Sequence, residues 1–224
     1  MIHSIPKWME HRPPFKLKTF MIVYNLIQVI LNLLLAFTST YYFFADNHDI
    51  KCMTVDFSGS PKSQRALILT WYYYLLKLID LTDTIVFVLR KKQDQVTFLH
   101  KYHHIVIAIA SYFSTRFYPG GHTSMLGIIN CYVHVIMYFY YFLTVLKPQF
   151  VSLKWKRLLT LLQITQFASM VIHFCVPLFI YPSCPYSKYW LSCSLGQNIF
   201  MLVMFLDFYV RTYIIKTKTP KKSN

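Results

Sequence analysis

The run FMIVYNLIQVILNLLLAFTSTYYFF, residues 20–44, contains no charged side chain. A helix needs roughly 20 mostly apolar residues to cross a bilayer, so this segment reads as a membrane span. It is too long for the core of a signal peptide and lacks a clear cleavage site, so it reads as retained. Five further stretches extend the pattern. Residues 66–89 are apolar apart from Lys77, Asp80 and Asp83, and residues 100–117 are shorter and open with histidines. Residues 123–146 and 158–181 carry no formal charge, and residues 189–210 hold only Asp207 near the far end.

The loops between these spans alternate in charge. The first segment has Lys7, Arg12, Lys16 and Lys18, and the next loop offsets Lys51, Lys62 and Arg65 with Asp46, Asp49 and Asp56. Arg90, Lys91, Lys92 and Lys101 follow, then Arg116 alone; Lys147, Lys154, Lys156 and Arg157 follow, then Lys188 alone. The tail has Arg211, Lys216, Lys218, Lys221 and Lys222. Cytoplasmic loops collect Lys and Arg, so the alternation predicts six crossings with both termini in the cytosol. The expected organisation is a cytosolic segment 1–19, a membrane catalytic domain 20–213 and a basic cytosolic tail 214–224. The expected fold is all-α: a polytopic bundle of about six transmembrane helices.

Composition agrees. The chain is 55% hydrophobic and 14% charged, with a net charge of +15; a soluble domain carries about twice that charged fraction. Nucleic-acid binding, the soluble reading of a basic protein, is disfavoured because the bases lie between apolar runs and form no stripe. Cys131, Cys175 and Cys193 fall within spans and read as packing residues, whereas Cys52 and Cys184 fall in two loops of the same predicted, oxidising side. A Cys52–Cys184 disulfide is therefore expected, with two free loop thiols as the alternative. The C-terminal Lys221-Lys222-Ser223-Asn224 is similar to the dilysine retrieval signal of endoplasmic reticulum membrane proteins.

Ionisable groups inside a membrane are costly and usually functional. Lys77, Asp80 and Thr84 lie on one helical face, with Asp83 beside Asp80. They read either as an ion-paired bundle contact or as a substrate-facing group. His100, His103 and His104 project from one face at i, i+3 and i+4. That grouping suits metal ligation or acid–base and nucleophilic work. Asn130, His134 and Tyr138 form a stripe at i, i+4 and i+8, with Tyr140 and Tyr141 nearby. Gln163 and Gln166, one turn apart, read first as interhelical glue; His173 and Asn198 give weaker signals.

These motifs together resemble the very-long-chain fatty acid elongases. The matching residues are Lys77-x-x-Asp80-x-x-Asp83-Thr84, Leu89-Arg-Lys-Lys92, Gln95-Val-Thr-Phe-Leu-His-Lys-Tyr-His-His104, Asn130-x-x-x-His134-x-x-Met137-Tyr138-x-Tyr140-Tyr141 and Thr160-x-x-Gln163-x-x-Gln166. Order and spacing fit over about residues 10–213. The resemblance implies a 3-oxoacyl-CoA synthase of the endoplasmic reticulum membrane. Such an enzyme condenses long-chain acyl-CoA with malonyl-CoA, using no cofactor, in a bundle that encloses an acyl tunnel. Membrane lipid, a second copy of the chain and other elongation-cycle enzymes are the accompanying candidate partners. Two departures stand out. The family usually has seven spans; Pro13-Pro14-Phe15 and Tyr24-Asn25 match the segment entering its second, so its first helix is expected to be absent here. Asp80 stands where the family often has Glu.

The resemblance implies roles for particular residues. His103 is the expected nucleophile, although the sequence itself does not rank it against His104 or His134. His134 would polarise a carbonyl, and His100 and His104 would orient the reacting ring. Lys77, Asp80, Asp83, Thr84, Asn130, Tyr138, Tyr141, Gln163 and Gln166 are candidate substrate-site residues. Arg90, Lys91 and Lys92 are candidates for CoA phosphates, or else ordinary cytosolic-side charge. No metal is expected. The rivals are a di-iron desaturase or hydroxylase, which needs about eight boxed histidines and finds His3, His11, His48 and His122 outside any box, and a transporter.

Overall fold

A computed structural model describes residues 8–150 and 152–215. Among these the regular structure is helical: α1 (Lys18–Ala45), α2 (Pro61–Asp80), α3 (Thr82–Leu89), α4 (Phe98–Phe117), α5 (Ser124–Leu146), α6 (Leu153–Cys175) and α7 (Lys188–Tyr209). The local chemistry explains where they start. Ser60, Thr97, Ser152 and Ser187 each accept a hydrogen bond from the backbone N–H three residues on, capping α2, α4, α6 and α7. Pro61 at the first position of α2 forfeits only an N–H that has no helical acceptor.

Two departures from the sequence reading concern continuity. The single span expected over 66–89 is two stacked helices, α2 and α3, broken at Leu81. The helix after Ser152 widens into a π-turn over Val176–Ile180, where Pro177 cannot donate the normal hydrogen bond. A second π-segment, Val210–Ile215, extends α7.

Four of these units, Lys18–Ala45, Ser124–Leu146, Leu153–Ile180 and Lys188–Ile215, are long and apolar enough to cross a membrane. The 20-residue helices α2 and α4 are more polar, because they carry Lys77 and Asp80, and the histidines. Their outward faces nevertheless match the others: Leu67, Ile68, Trp71 and Tyr72 on α2, and Ile109, Tyr112 and Phe113 on α4, are exposed and apolar or aromatic. A helical bundle with such a surface is a polytopic membrane protein.

The loops sort to two ends. At one end Cys52 and Cys184 form a disulfide, joining the α1–α2 loop to the α6–α7 loop. The α4–α5 turn joins them: the Met53 N–H lies 3.4 Å from His122 Nδ1, and the Tyr118 and Tyr186 rings pack 5.5 Å apart. Gly121 belongs to this turn because a Cβ there would collide with the Tyr186 ring and Val55. Below it, Met170, Phe174, Cys184, Tyr186 and Leu191 form a buried cluster. At the opposite end the Phe15 N–H reaches Leu89 O at 3.0 Å, and Arg157 Nε donates to the Tyr209 hydroxyl at 2.6 Å. The loops with balanced or few charges therefore share one end and the basic loops the other. Lys221 and Lys222 lie outside the described residues.

Candidate active site

The polar stripe of α5 is the axis of the site. Asn130, His134 and Tyr138 are all buried, and α1 packs along α5. A matching stripe on α1, which the sequence reading did not single out, is Tyr24, Gln28 and Asn32 at i, i+4 and i+8. Gln28 and Asn32 are fully buried. The same spacing argument that marked α5 would have marked α1, but the stripe is easily passed over in so apolar a run.

Between the stripes sits Asp80. Its Oδ2 accepts from Lys77 Nζ at 2.8 Å and its Oδ1 accepts from Gln28 Nε2 at 2.7 Å. Lys77 also donates to Asn130 Oδ1 at 2.8 Å, as does the Tyr73 hydroxyl at 3.1 Å. Lys77 and Asp80 have no exposed surface. A buried ion pair is tolerated only when its remaining donors and acceptors are matched, and this network does so with amides and hydroxyls from α1, α2 and α5. His134 Nδ1 lies 3.4 Å from Asp80 Oδ2 without the geometry of a hydrogen bond.

The Tyr138 hydroxyl lies 2.7 Å from Asp83 Oδ2 and 3.1 Å from Asp80 Oδ1. Thr84, on the next turn of α3, lies 3.0 Å from His100 Nε2 and so fixes the first histidine of α4. The His100 and His104 rings pack at a tilt of 46° with centroids 4.3 Å apart, and His103 sits edge-on to His104 and to Phe167. Neither nitrogen of His103 has a hydrogen-bond partner among the described residues, and His104 Nδ1 is buried without one.

A cavity of about 350 Å³ opens among α4, α5, α6 and α7. Its walls include His100, His103, His104, Asn130, His134, Tyr141, Gln163 and Gln166. Lys77, Asp80, Asp83, Thr84 and Tyr138 stand behind that wall, in contact with each other, with wall residues and with Tyr24, Gln28 and Tyr73. Arg90, Lys91 and Lys92 are absent from it as well. Arg90 points to Met21 Sδ at 3.0 Å and Lys91 to Glu10 O at 3.3 Å, across α1 and the segment before it. The base at the rim is Lys156, with Asp94, Gln95 and Thr97.

The cavity continues inward. A space of about 250 Å³ shares His103, Asn130, Gln166 and Phe167 with it and is otherwise mainly apolar. A third space, of about 120 Å³, shares Ile107, Ala110, Leu126, Trp190 and Ser194 with the second and ends near the Arg65–Asp46 ion pair by the disulfide-bonded loops. A polar, histidine-walled mouth thus leads into a narrow apolar interior. Among the described residues, no three His, Cys, Asp or Glu side chains are grouped to hold a metal ion.

A sequence model of the ELO family, described as the GNS1/SUR4 family, matches residues 1–222. The chain belongs to the ELO family. Relatives include the very long chain fatty acid elongase 7 of Rattus norvegicus, 37% identical over 96% of this chain and 77% of its own length. The very long chain fatty acid elongase 4 of Homo sapiens is 36% identical, over 97% of this chain and 68% of its own. A very long chain fatty acid elongase of Aedes aegypti is 37% identical over 93% of this chain. The chain spans 58% of that mosquito protein's length. As an ELO family member, the chain presents its histidine box on the wall of an internal cavity, with the Lys77–Asp80 pair directly behind.

Proposed function

We propose that this protein is the condensing enzyme of fatty acid elongation, joining a long-chain acyl-CoA to malonyl-CoA through an acyl-histidine on His103. The observation that carries this reading is the His103 ring. Neither nitrogen makes a hydrogen bond among the described residues, and the ring lines a cavity whose wall also holds His134 and whose depth is mainly apolar.

The chemistry follows from that placement. Neutral His103 attacks the thioester carbon, a C–N bond forms and the C–S bond breaks. The CoA thiolate leaves with the proton released by the imidazole. The acyl-imidazole is kept from water by the apolar wall, with its chain in the inner spaces. Malonyl-CoA then loses carbon dioxide, and its enolate carbon attacks the acyl carbon; the C–N bond breaks toward nitrogen, giving 3-oxoacyl-CoA, and the freed histidine takes one proton from solvent at the cavity mouth. His134 turns Nδ1 toward Asp80, and in the tautomer that carries its hydrogen on Nε2 it donates to the developing oxygen charge. His100 and His104 hold the box in register, and Gln163 and Gln166 offer amides to the substrate's polar end.

Lys156 at the rim takes the phosphate-binding role that the sequence suggested for Arg90, Lys91 and Lys92, since a primary ammonium can hold phosphate oxygens as a point charge. The reading places the basic loops and both termini in the cytosol and the disulfide-bonded loops in the lumen of the endoplasmic reticulum. The test is incubation with acyl-CoA alone followed by peptide mass spectrometry. An acyl adduct is expected on His103 and none in His103→Ala, with labelled malonyl-CoA then incorporated only by the unmodified protein. An adduct on a cysteine would overturn the imidazole route, and absence of labelled 3-oxoacyl-CoA would overturn the condensing activity.

A further inference from the structure

Two cavities meet at His103, Asn130, Gln166 and Phe167, which line both the polar mouth and the apolar space behind it. One of these residues carries an amide held in a single orientation. Asn130 Oδ1 accepts from Lys77 Nζ at 2.8 Å and from the Tyr73 hydroxyl at 3.1 Å. An ammonium has hydrogens and no lone pair, so the Asn130 atom facing Lys77 is the oxygen, and two donors fill its capacity. The amide cannot turn over without setting its own N–H against the cation. Nδ2 is therefore left for the cavities that Asn130 lines, and it makes no hydrogen bond among the described residues. Asn32 and Asn198 behave otherwise, each donating from Nδ2 to the carbonyl four residues back, at 2.9 and 2.8 Å. Lys77 does more than aim the group. Its charge draws electron density through the amide, which strengthens the N–H as a donor, the more so in a low-dielectric interior. Asp80 Oδ2 balances that charge by accepting from Lys77 at 2.8 Å.

We propose that Asn130 Nδ2 is an oxyanion donor to the substrate's acyl carbonyl, and that Lys77, from behind the wall, is the positioning residue that aims and polarises it. This rests on the condensing-enzyme reading. That reading puts the CoA portion in the polar mouth and the acyl chain in the apolar space, so the thioester carbonyl falls where the two meet, beside His103 and Asn130. As His103 attacks, the C–N bond forms and the carbonyl electron pair moves onto oxygen. The pair returns as the C–S bond breaks and the thiolate leaves. The same oxygen takes charge again when the enolate carbon adds to the acyl-imidazole, and gives it up as the C–N bond breaks. No proton moves at Asn130. A neutral amide gives its hydrogen bond in both halves of the reaction and needs no recharging between turnovers. Fixed donors aimed at developing charge cost no reorganisation at the moment of reaction. His134 lies one turn further along α5 and lines the same mouth, so the stripe offers two donors to one oxygen. The buried ion pair acquires a task from this placement: it never meets substrate, and it acts on the carbonyl through one asparagine.

Asn130→Asp tests the donor, because it keeps an oxygen for Lys77 and Tyr73 and removes the amide hydrogens from the cavity. Its kcat should fall about 100- to 1000-fold, the scale of one lost oxyanion donor, at nearly unchanged KM for acyl-CoA. A readout independent of turnover uses an acyl-CoA analogue whose thioester sulfur is replaced by methylene and whose carbonyl carbon is isotopically labelled. Isotope-edited infrared spectroscopy of the full chain in detergent then reads that carbonyl alone. Bound to the unmodified protein, its stretch should lie below that of a labelled ketone in hydrocarbon solvent, because an accepted hydrogen bond weakens the C=O bond. In Asn130→Asp the stretch should rise toward the solvent value. Lys77→Met combined with Asp80→Asn should raise it too, although Asn130 is still present; a merely structural role for Lys77 would not move the band. A band at the hydrocarbon position in the unmodified protein, or the same band in Asn130→Asp, overturns the donor. An unmoved band in the Lys77 and Asp80 double variant overturns the positioning role. Absence of 3-oxoacyl-CoA from the unmodified protein, with the band lowered and dependent on Asn130, would overturn the condensing-enzyme reading instead.

Discussion

Gln28 of α1 donates from Nε2 to Asp80 Oδ1 at 2.7 Å, across 52 residues of sequence and with both side chains fully buried. The contact ties an otherwise apolar helix to the only lysine–carboxylate pair found buried among the described residues, and Asn32 supports it by donating to Gln28 O at 2.9 Å. A helix whose outer face is exposed and apolar thus supplies one donor to the site.

Gln28→Leu removes that donor but keeps the apolar bulk. The expected loss is about 1.5–3 kcal/mol of stability, as for a hydrogen bond to a charged group, together with a lower kcat at nearly unchanged KM for malonyl-CoA. Thermal unfolding in detergent and steady-state elongation measure the two separately. Unfolding that matches the unmodified chain would show that Gln28 is passive.

Lys77→Met strands the Asp80 carboxylate without its cation, 2.8 Å from where the ammonium stood. Breaking one side of a buried pair costs about 3–5 kcal/mol. Adding Asp80→Asn to the same chain should recover much of that stability while leaving condensation absent. A double variant no more stable than Lys77→Met would show that the two groups are not energetically coupled.

The Cys52–Cys184 bond spans 132 residues of chain. Closing so long a loop restricts the unfolded chain, and Cys52→Ser or reduction should cost about 2–5 kcal/mol. The two treatments should give the same loss, and reductant should have no further effect on Cys52→Ser. A further loss there would show that Cys184, freed by the substitution, had formed another disulfide.

His122, in the turn between α4 and α5, is buried; burial, and then the neighbouring His173, hold it below the ordinary 6.5, at about 4. It accepts from the Met53 N–H, and its Nε2 lies 3.1 Å from His173 O, so the folded protein uses it neutral. Below about pH 6.5 the unfolded chain takes up a proton that the folded one refuses, so stability falls progressively as pH drops toward about 4. Unfolding followed between pH 7 and 4 should show that slope, and His122→Gln should flatten it. An unchanged slope in the variant would assign it elsewhere.

Membrane character was legible because hydropathy is local. Residues 20–44 or 123–146 announce themselves from their own side chains, and α1 and α5 cover them within a few residues. The histidine box and the Asn130–His134–Tyr138 stripe were legible too, because helical period alone puts their members on one face. Period does not say which face meets which. Only packing turned Lys77 and Asp80 behind the cavity wall, sent Arg90 and Lys91 toward Met21 and Glu10, put Lys156 at the rim and brought Gln28 to Asp80. Those placements depend on how each helix is rotated about its axis, which is decided by contacts between residues 50 to 110 positions apart, such as Gln28 with Asp80 and with Tyr138. The break at Leu81 is of the same kind: the sequence there has no Gly or Pro to mark it, and tertiary packing of Asp80 and Asp83 around one tyrosine accompanies it.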